Sequence, residues 1–111
     1  MNDRFIASGG FEAKYSVVEL LEQLESLGAI VQLRESSQVL GGLYISVQEG
    51  LEEMTIEKDE GDSFDVYARH KDLSILKNVT EYFIKLIERV GKLQELEYYD
   101  CNEQLIGVYK A

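Results

Sequence analysis

The sequence predicts an α+β fold, a two-layer sandwich in which a mostly antiparallel sheet of five to seven strands carries two helices on one face. Three features lead to this class. Two segments repeat their apolar residues at helical spacing, others alternate apolar and polar residues with a period of two, and the links between alternating segments are too short for crossovers.

Residues 4–6 offer a short first strand, which would form a βαβ unit with the first helix and the strand after it. Ser8-Gly9-Gly10 reads as a flexible turn. Ser16 and Glu19 have the spacing of a capping box, and Val17, Leu20, Leu21, Leu24 and Leu27 recur at helical intervals. A helix is therefore predicted over 16–27, with Gly28 as its stop. The aliphatic residues of 29–35 follow as a strand, and Gly41-Gly42 marks another turn.

Over 43–48, Leu43, Ile45 and Val47 alternate with Tyr44, Ser46 and Gln48. Over 52–58, Met54 and Ile56 alternate with Glu53, Thr55 and Glu57, and over 63–69, Phe64, Val66 and Ala68 alternate with Asp65, Tyr67 and Arg69. Each reads as a strand with one buried and one wet face. Asp59-Glu60-Gly61-Asp62 has the composition of a hairpin turn. A second helix is predicted over 73–90, capped by Asp72, with Ile75, Val79, Tyr82, Phe83, Leu86, Ile87 and Val90 as its apolar stripe and Gly91 closing it. Residues 95–100 and 105–110 make a last hairpin around Cys101-Asn102-Glu103-Gln104. Tyr15, Tyr82, Tyr98 and Tyr109 are expected to fill or rim the core, and Tyr98 and Tyr99 must point to opposite faces.

At 111 residues and 45% hydrophobic content, the chain is expected to be a single domain over 1–111 whose core suffices without disulfides or metals. No apolar run approaches the ~20 residues that span a bilayer. Met1-Asn2-Asp3-Arg4 lacks the pattern of a signal peptide, and one cysteine allows no internal disulfide, so a cytoplasmic location is expected.

The net charge is −10, from 21 acids and 11 bases. That sign opposes binding to nucleic acid or to anionic membranes. The excess is concentrated. Residues 1–34 carry a net −2 and residues 66–111 balance, whereas 35–65 hold Glu35, Glu49, Glu52, Glu53, Glu57, Asp59, Glu60, Asp62 and Asp65 against Lys58 alone, a net of −8.

Little else carries chemistry. His70 is the only histidine, and Asp100 and Glu103 surround Cys101 with negative charge that disfavours a thiolate nucleophile. One His and one Cys cannot build a structural zinc site. The run from Asp59 to Asp65 has a calcium-like composition but departs from EF-hand spacing, because Gly61 is its third residue. Neither glycine pair has the lysine or the spacing of a phosphate loop. No catalytic residue, cofactor or metal is predicted, and the chain does not read as an enzyme.

The expected function is a small acidic protein-binding domain whose wet sheet face docks a basic protein. Its sharpest form is an inhibitor or immunity-type protein that blocks the cationic site of a nuclease-like toxin. Tyr44, Glu53, Glu57, Asp59, Glu60, Asp62, Asp65 and Tyr67 are the candidate contact residues, tyrosines as anchors and carboxylates as partners for Lys and Arg. One alternative is a homodimer or accessory subunit that self-associates through the open sheet face or an edge strand, with acidity serving solubility. A third reading is a small-ligand binder or enzyme with a pocket between helices and sheet.

Overall fold

The period-two segments pair into one seven-stranded sheet, and the helical segments pack against one side of it. The computed structural model describes residues 4–109. Met1, Asn2 and Asp3, and Lys110 at the end of the expected last strand, lie outside the described residues. In chain order the elements are β1 (Phe5–Glu12), α1 (Val17–Ser26), β2 (Ile30–Glu35), β3 (Leu43–Glu49), β4 (Glu52–Lys58), β5 (Ser63–His70), α2 (Leu73–Ile87), β6 (Lys92–Tyr99) and β7 (Leu105–Val108).

The strand order is β2-β3-β4-β5-β1-β6-β7, and every neighbouring pair is antiparallel. Strands β2 to β5 form the meander that their short links dictate. The expected short strand at 4–6 is instead an eight-residue central strand running through Ser8-Gly9-Gly10. Those glycines are not a turn. A Cβ on Gly9 would stand 2.1 Å from the Glu95 carbonyl oxygen, so the pair marks close approach of β1 to β6. The expected βαβ unit is present in split form: β1 and β2 run in the same direction on either side of α1 in the chain, with β3, β4 and β5 lying between them in the sheet.

Helix α1 begins with the capping box its sequence encodes, Ser16 Oγ accepting from the Glu19 N–H at 3.1 Å and Glu19 Oε1 from the Ser16 N–H at 2.9 Å. It ends at Gly28, whose φ of 86° needs a residue without Cβ. Leu20 and Leu24 are completely buried. Asp72 caps α2, its Oδ1 accepting from the Ser74 and Ile75 N–H groups.

The buried face of α2 is turned about one residue from the expected stripe. Leu76, Thr80, Phe83, Ile84, Leu86 and Ile87 are buried, whereas Ile75 and Tyr82 are 40% and 38% exposed. Thr80 can be buried because its hydroxyl donates to the Leu76 carbonyl one turn back. Gly91 does not act as a left-handed stop. A Cβ there would meet the Glu12 carbonyl at 2.2 Å, so it is needed for the passage of the chain beneath β1.

Between the layers, Phe11 and Phe64 stack at 5.2 Å and join Ile45, Val47, Met54, Ile56, Val66, Leu96 and the two helices' leucines in one core. Each such side chain contributes roughly 1.5–3 kcal/mol by burial. Tyr98 lies in this core and Tyr99 faces the other way, as alternation requires.

Candidate functional site

Both helices occupy one side of the sheet, so the other face is left without a covering layer. Its composition follows from register. Tyr44, Glu57, Asp65, Gly10 and Glu95 are successive partners across β3, β4, β5, β1 and β6, and Ser46, Thr55, Tyr67, Ser8 and Glu97 make the row beside them. Glu57 and Asp65 thus stand directly opposite one another, which like charges normally avoid.

Gly10 supplies no side chain where the row crosses β1. The gap between Asp65 and Glu95 spans two strand spacings, about 10 Å. A hollow of about 440 Å³ lies on this face, lined by Ser8, Gly9, Thr55, Glu57, Asp65, Val66, Tyr67, Glu95 and Glu97. A second hollow of about 530 Å³ opens beyond the Thr55–Tyr67 pair, its lining including Arg4, Leu51, Glu52, Glu53 and Arg69. Ser46 is covered there and donates to Glu53 Oε2 at 2.7 Å.

Glu57, Asp65, Glu95 and Glu97 form no ion pair with lysine or arginine among the described residues. Lys58, the only base in the acidic central segment, is turned to the helix side, where its Nζ donates to the Tyr15 carbonyl at 3.1 Å and sits 4.4 Å over the Phe64 ring. Burial, and then the charge of Asp59, hold the Asp65 carboxyl above its ordinary value. Burial and the neighbouring Glu97, which accepts from the Tyr99 hydroxyl at 3.3 Å, raise the Tyr99 phenol likewise.

Of the candidate contact residues, Tyr44, Glu53, Glu57, Asp65 and Tyr67 share the outer face, with Tyr67 41% exposed. Asp59, Glu60 and Asp62 lie in the β4–β5 turn at one end of the sheet. The acidic segment does not form the patch alone. Glu35, Glu49 and Glu52 fall on the helix side, Glu49 meeting the Tyr82 hydroxyl and Glu52 pairing with His70 at 3.1 Å.

The patch is completed instead by Glu95 and Glu97, with Ser8 and Gly9 also lining the hollow. Sequence reasoning passed over these four. The net charge of 66–111 is zero because seven bases spread over that stretch, from Arg69 to Lys110, offset its seven acids, and that balance concealed the acids of β6. The alternation of Glu95, Glu97 and Tyr99 was the available signal.

His70 cannot serve as a free base in this arrangement: its Nδ1 accepts the Asp72 N–H at 2.8 Å while its Nε2 faces Glu52. Cys101 is exposed in the β6–β7 turn. Among the described residues, no three His, Cys, Asp or Glu side chains are grouped to hold a metal ion. None of the described helices is long and apolar enough to cross a membrane.

No family model matches this chain, and neither the curated proteins nor the solved structures contain a match. The functional argument therefore stands on the outer face itself.

Proposed function

We propose that this protein is a binding domain that docks a basic protein partner on the outer face of its sheet. The observation that carries this reading is the set Glu57, Asp65, Glu95 and Glu97, four carboxylates around one hollow that form no ion pair with lysine or arginine among the described residues. A Lys or Arg side chain lying over Ser8 and Gly9 would find carboxylate oxygens on both sides and the Tyr67 ring beside it. The field of these four carboxylates would accelerate encounter with a cationic surface. In its narrower form the partner is a toxin or nuclease whose cationic active site the acidic face blocks, as an immunity protein or nucleic-acid mimic does.

The test is affinity capture from host extract at low ionic strength, followed by association kinetics with the partner recovered. A variant carrying Glu57→Lys, Asp65→Lys and Glu95→Lys should associate at least ~10-fold more slowly, and its rate should lose most of its dependence on salt. An association rate equal to that of the unaltered protein would remove the basis of this reading.

A further inference from the structure

We infer that the outer edge of β7 is an interface at which a second copy of this chain adds across a two-fold axis, joining two sheets into one. Among the described residues, no strand pairs with β7 on the side away from β6. The backbone N–H and C=O groups on that side are therefore unpaired, which is a template for another strand. Three of its four side chains are large, apolar and open: Leu105 is 54%, Ile106 43% and Val108 50% exposed.

Charge selects the occupant. β7 runs Leu-Ile-Gly-Val and carries no charge, so the basic partner of the acidic hollow finds no carboxylate on this edge. An uncharged apolar strand fits it, and β7 of another copy is such a strand. Antiparallel pairing of a strand with itself closes under two-fold symmetry and leaves no further edge of the same kind.

The arrangement also avoids the repulsion between two chains of net charge −10. Counting strand spacings, β6 of one copy lies about 14 Å from β6 of the other, and the two β5 strands lie about 34 Å apart. Both exceed the ~8 Å screening length at physiological ionic strength. The opposite edge is less suitable, because β2 carries Arg34 and Glu35 and adjoins the acidic strands β3 and β4. Charges on an edge strand are the usual device against pairing.

A strand of four residues buries little area, so the dimer should be weak, with a dissociation constant on the order of 100 μM. The two-fold axis stands perpendicular to the sheet and places both acidic hollows on the same side. Their β1 floors would be five spacings apart, about 24 Å. None of the four carboxylates takes part, so this interface stands or falls independently of the docking proposed above.

Sedimentation velocity of the full chain from about 10 μM to 1 mM tests it. A reversible dimer is expected. The double variant Ile106→Lys and Val108→Lys should raise its dissociation constant at least ~10-fold, and Ile30→Lys on the β2 edge should leave it unchanged. A protein that stays monomeric at 1 mM would overturn the inference, as would a dimer weakened by Ile30→Lys but not by the β7 variant. Amide hydrogen exchange of the unaltered protein gives a readout free of any folding defect. The amides of β7 should gain protection with concentration, and protection that does not change with concentration would count equally against it.

Discussion

Replacing Gly9 with alanine tests whether the central strand is held where the register places it. The added Cβ would stand 2.1 Å from the Glu95 carbonyl oxygen and 2.8 Å from both the Glu95 carbonyl carbon and the Leu96 Cα, all backbone atoms that no rotamer change can move. Bringing the closest contact to 3.0 Å, below which real Cβ atoms essentially never lie, needs a displacement of at least 0.9 Å between β1 and β6. A ladder bond of ordinary length, about 2.9 Å, would then stretch to about 3.8 Å and cease to be a hydrogen bond. Two such bonds lost in the middle of a sheet, with their groups left unsatisfied, cost about 3 kcal/mol or more. Against a typical total of about 5–15 kcal/mol, that is a large fraction.

For a domain of this size the melting temperature should fall by roughly 12 °C or more. Gly10→Ala is the control, since its Cβ would meet the Phe64 carbonyl oxygen at 3.1 Å and needs only a small adjustment. It should cost less than ~1 kcal/mol. Thermal and urea unfolding followed by circular dichroism would compare the three proteins. If Gly9→Ala melts within about 3 °C of the unaltered protein, or no lower than Gly10→Ala, the assigned packing of β1 against β6 is wrong.

Two further outcomes follow from the charged groups. The Asp65 carboxyl titrates above its ordinary value of 3.8 because of burial first and Asp59 second. Its contribution to stability is thus fully present below that value and lost as pH rises through the folded-state value. Asp65→Asn should therefore raise the melting temperature at pH 7, with the gain vanishing below about pH 3.8; a variant less stable at pH 7 would contradict this. His70 accepts the Asp72 N–H at Nδ1, which places the proton of the neutral ring on Nε2, facing Glu52. Long-range ¹⁵N–¹H correlation should find the Nε2–H tautomer in the neutral protein, and Nδ1–H would refute the contact.

The architecture was legible because period-two alternation is a direct imprint of a sheet with one covered face. Tyr44, Glu53, Glu57, Asp65 and Tyr67 fall on the outer face as their phase within 43–48, 52–58 and 63–69 requires. What alternation does not carry is strand order. Nothing local to Ser8-Gly9-Gly10 says that β5 and β6 will close around it, so two glycines that belong to a crowded central strand look like a turn. The rotated face of α2 has a similar origin: Thr80 counts as polar in a sequence, yet its hydroxyl is satisfied inside the helix and its methyl can be buried. Charge summed along the chain misled in the same way. Acids close in sequence divided between turn, outer face and helix side, while Glu95 and Glu97, about 30 residues beyond Asp65, came to stand beside it.

That assembly places the acidic hollow in conflict with stability. Opposite charges across adjacent strands would strengthen the sheet, and lysines on β1 or β6 could reach the carboxylates of β5. The chain instead sets Glu57 against Asp65, turns Lys58 to the helix side, and leaves Gly10 between Asp65 and Glu95. Gly9 is required by close packing, but Gly10 is not, since a methyl group there meets only one tight contact. Carboxylates set directly opposite one another, as Glu57 and Asp65 are, are unfavourable for folding alone. Under the proposed docking they would become favourable, because the same charges that raise the energy of the free protein would lower that of a complex with a cationic side chain in the hollow.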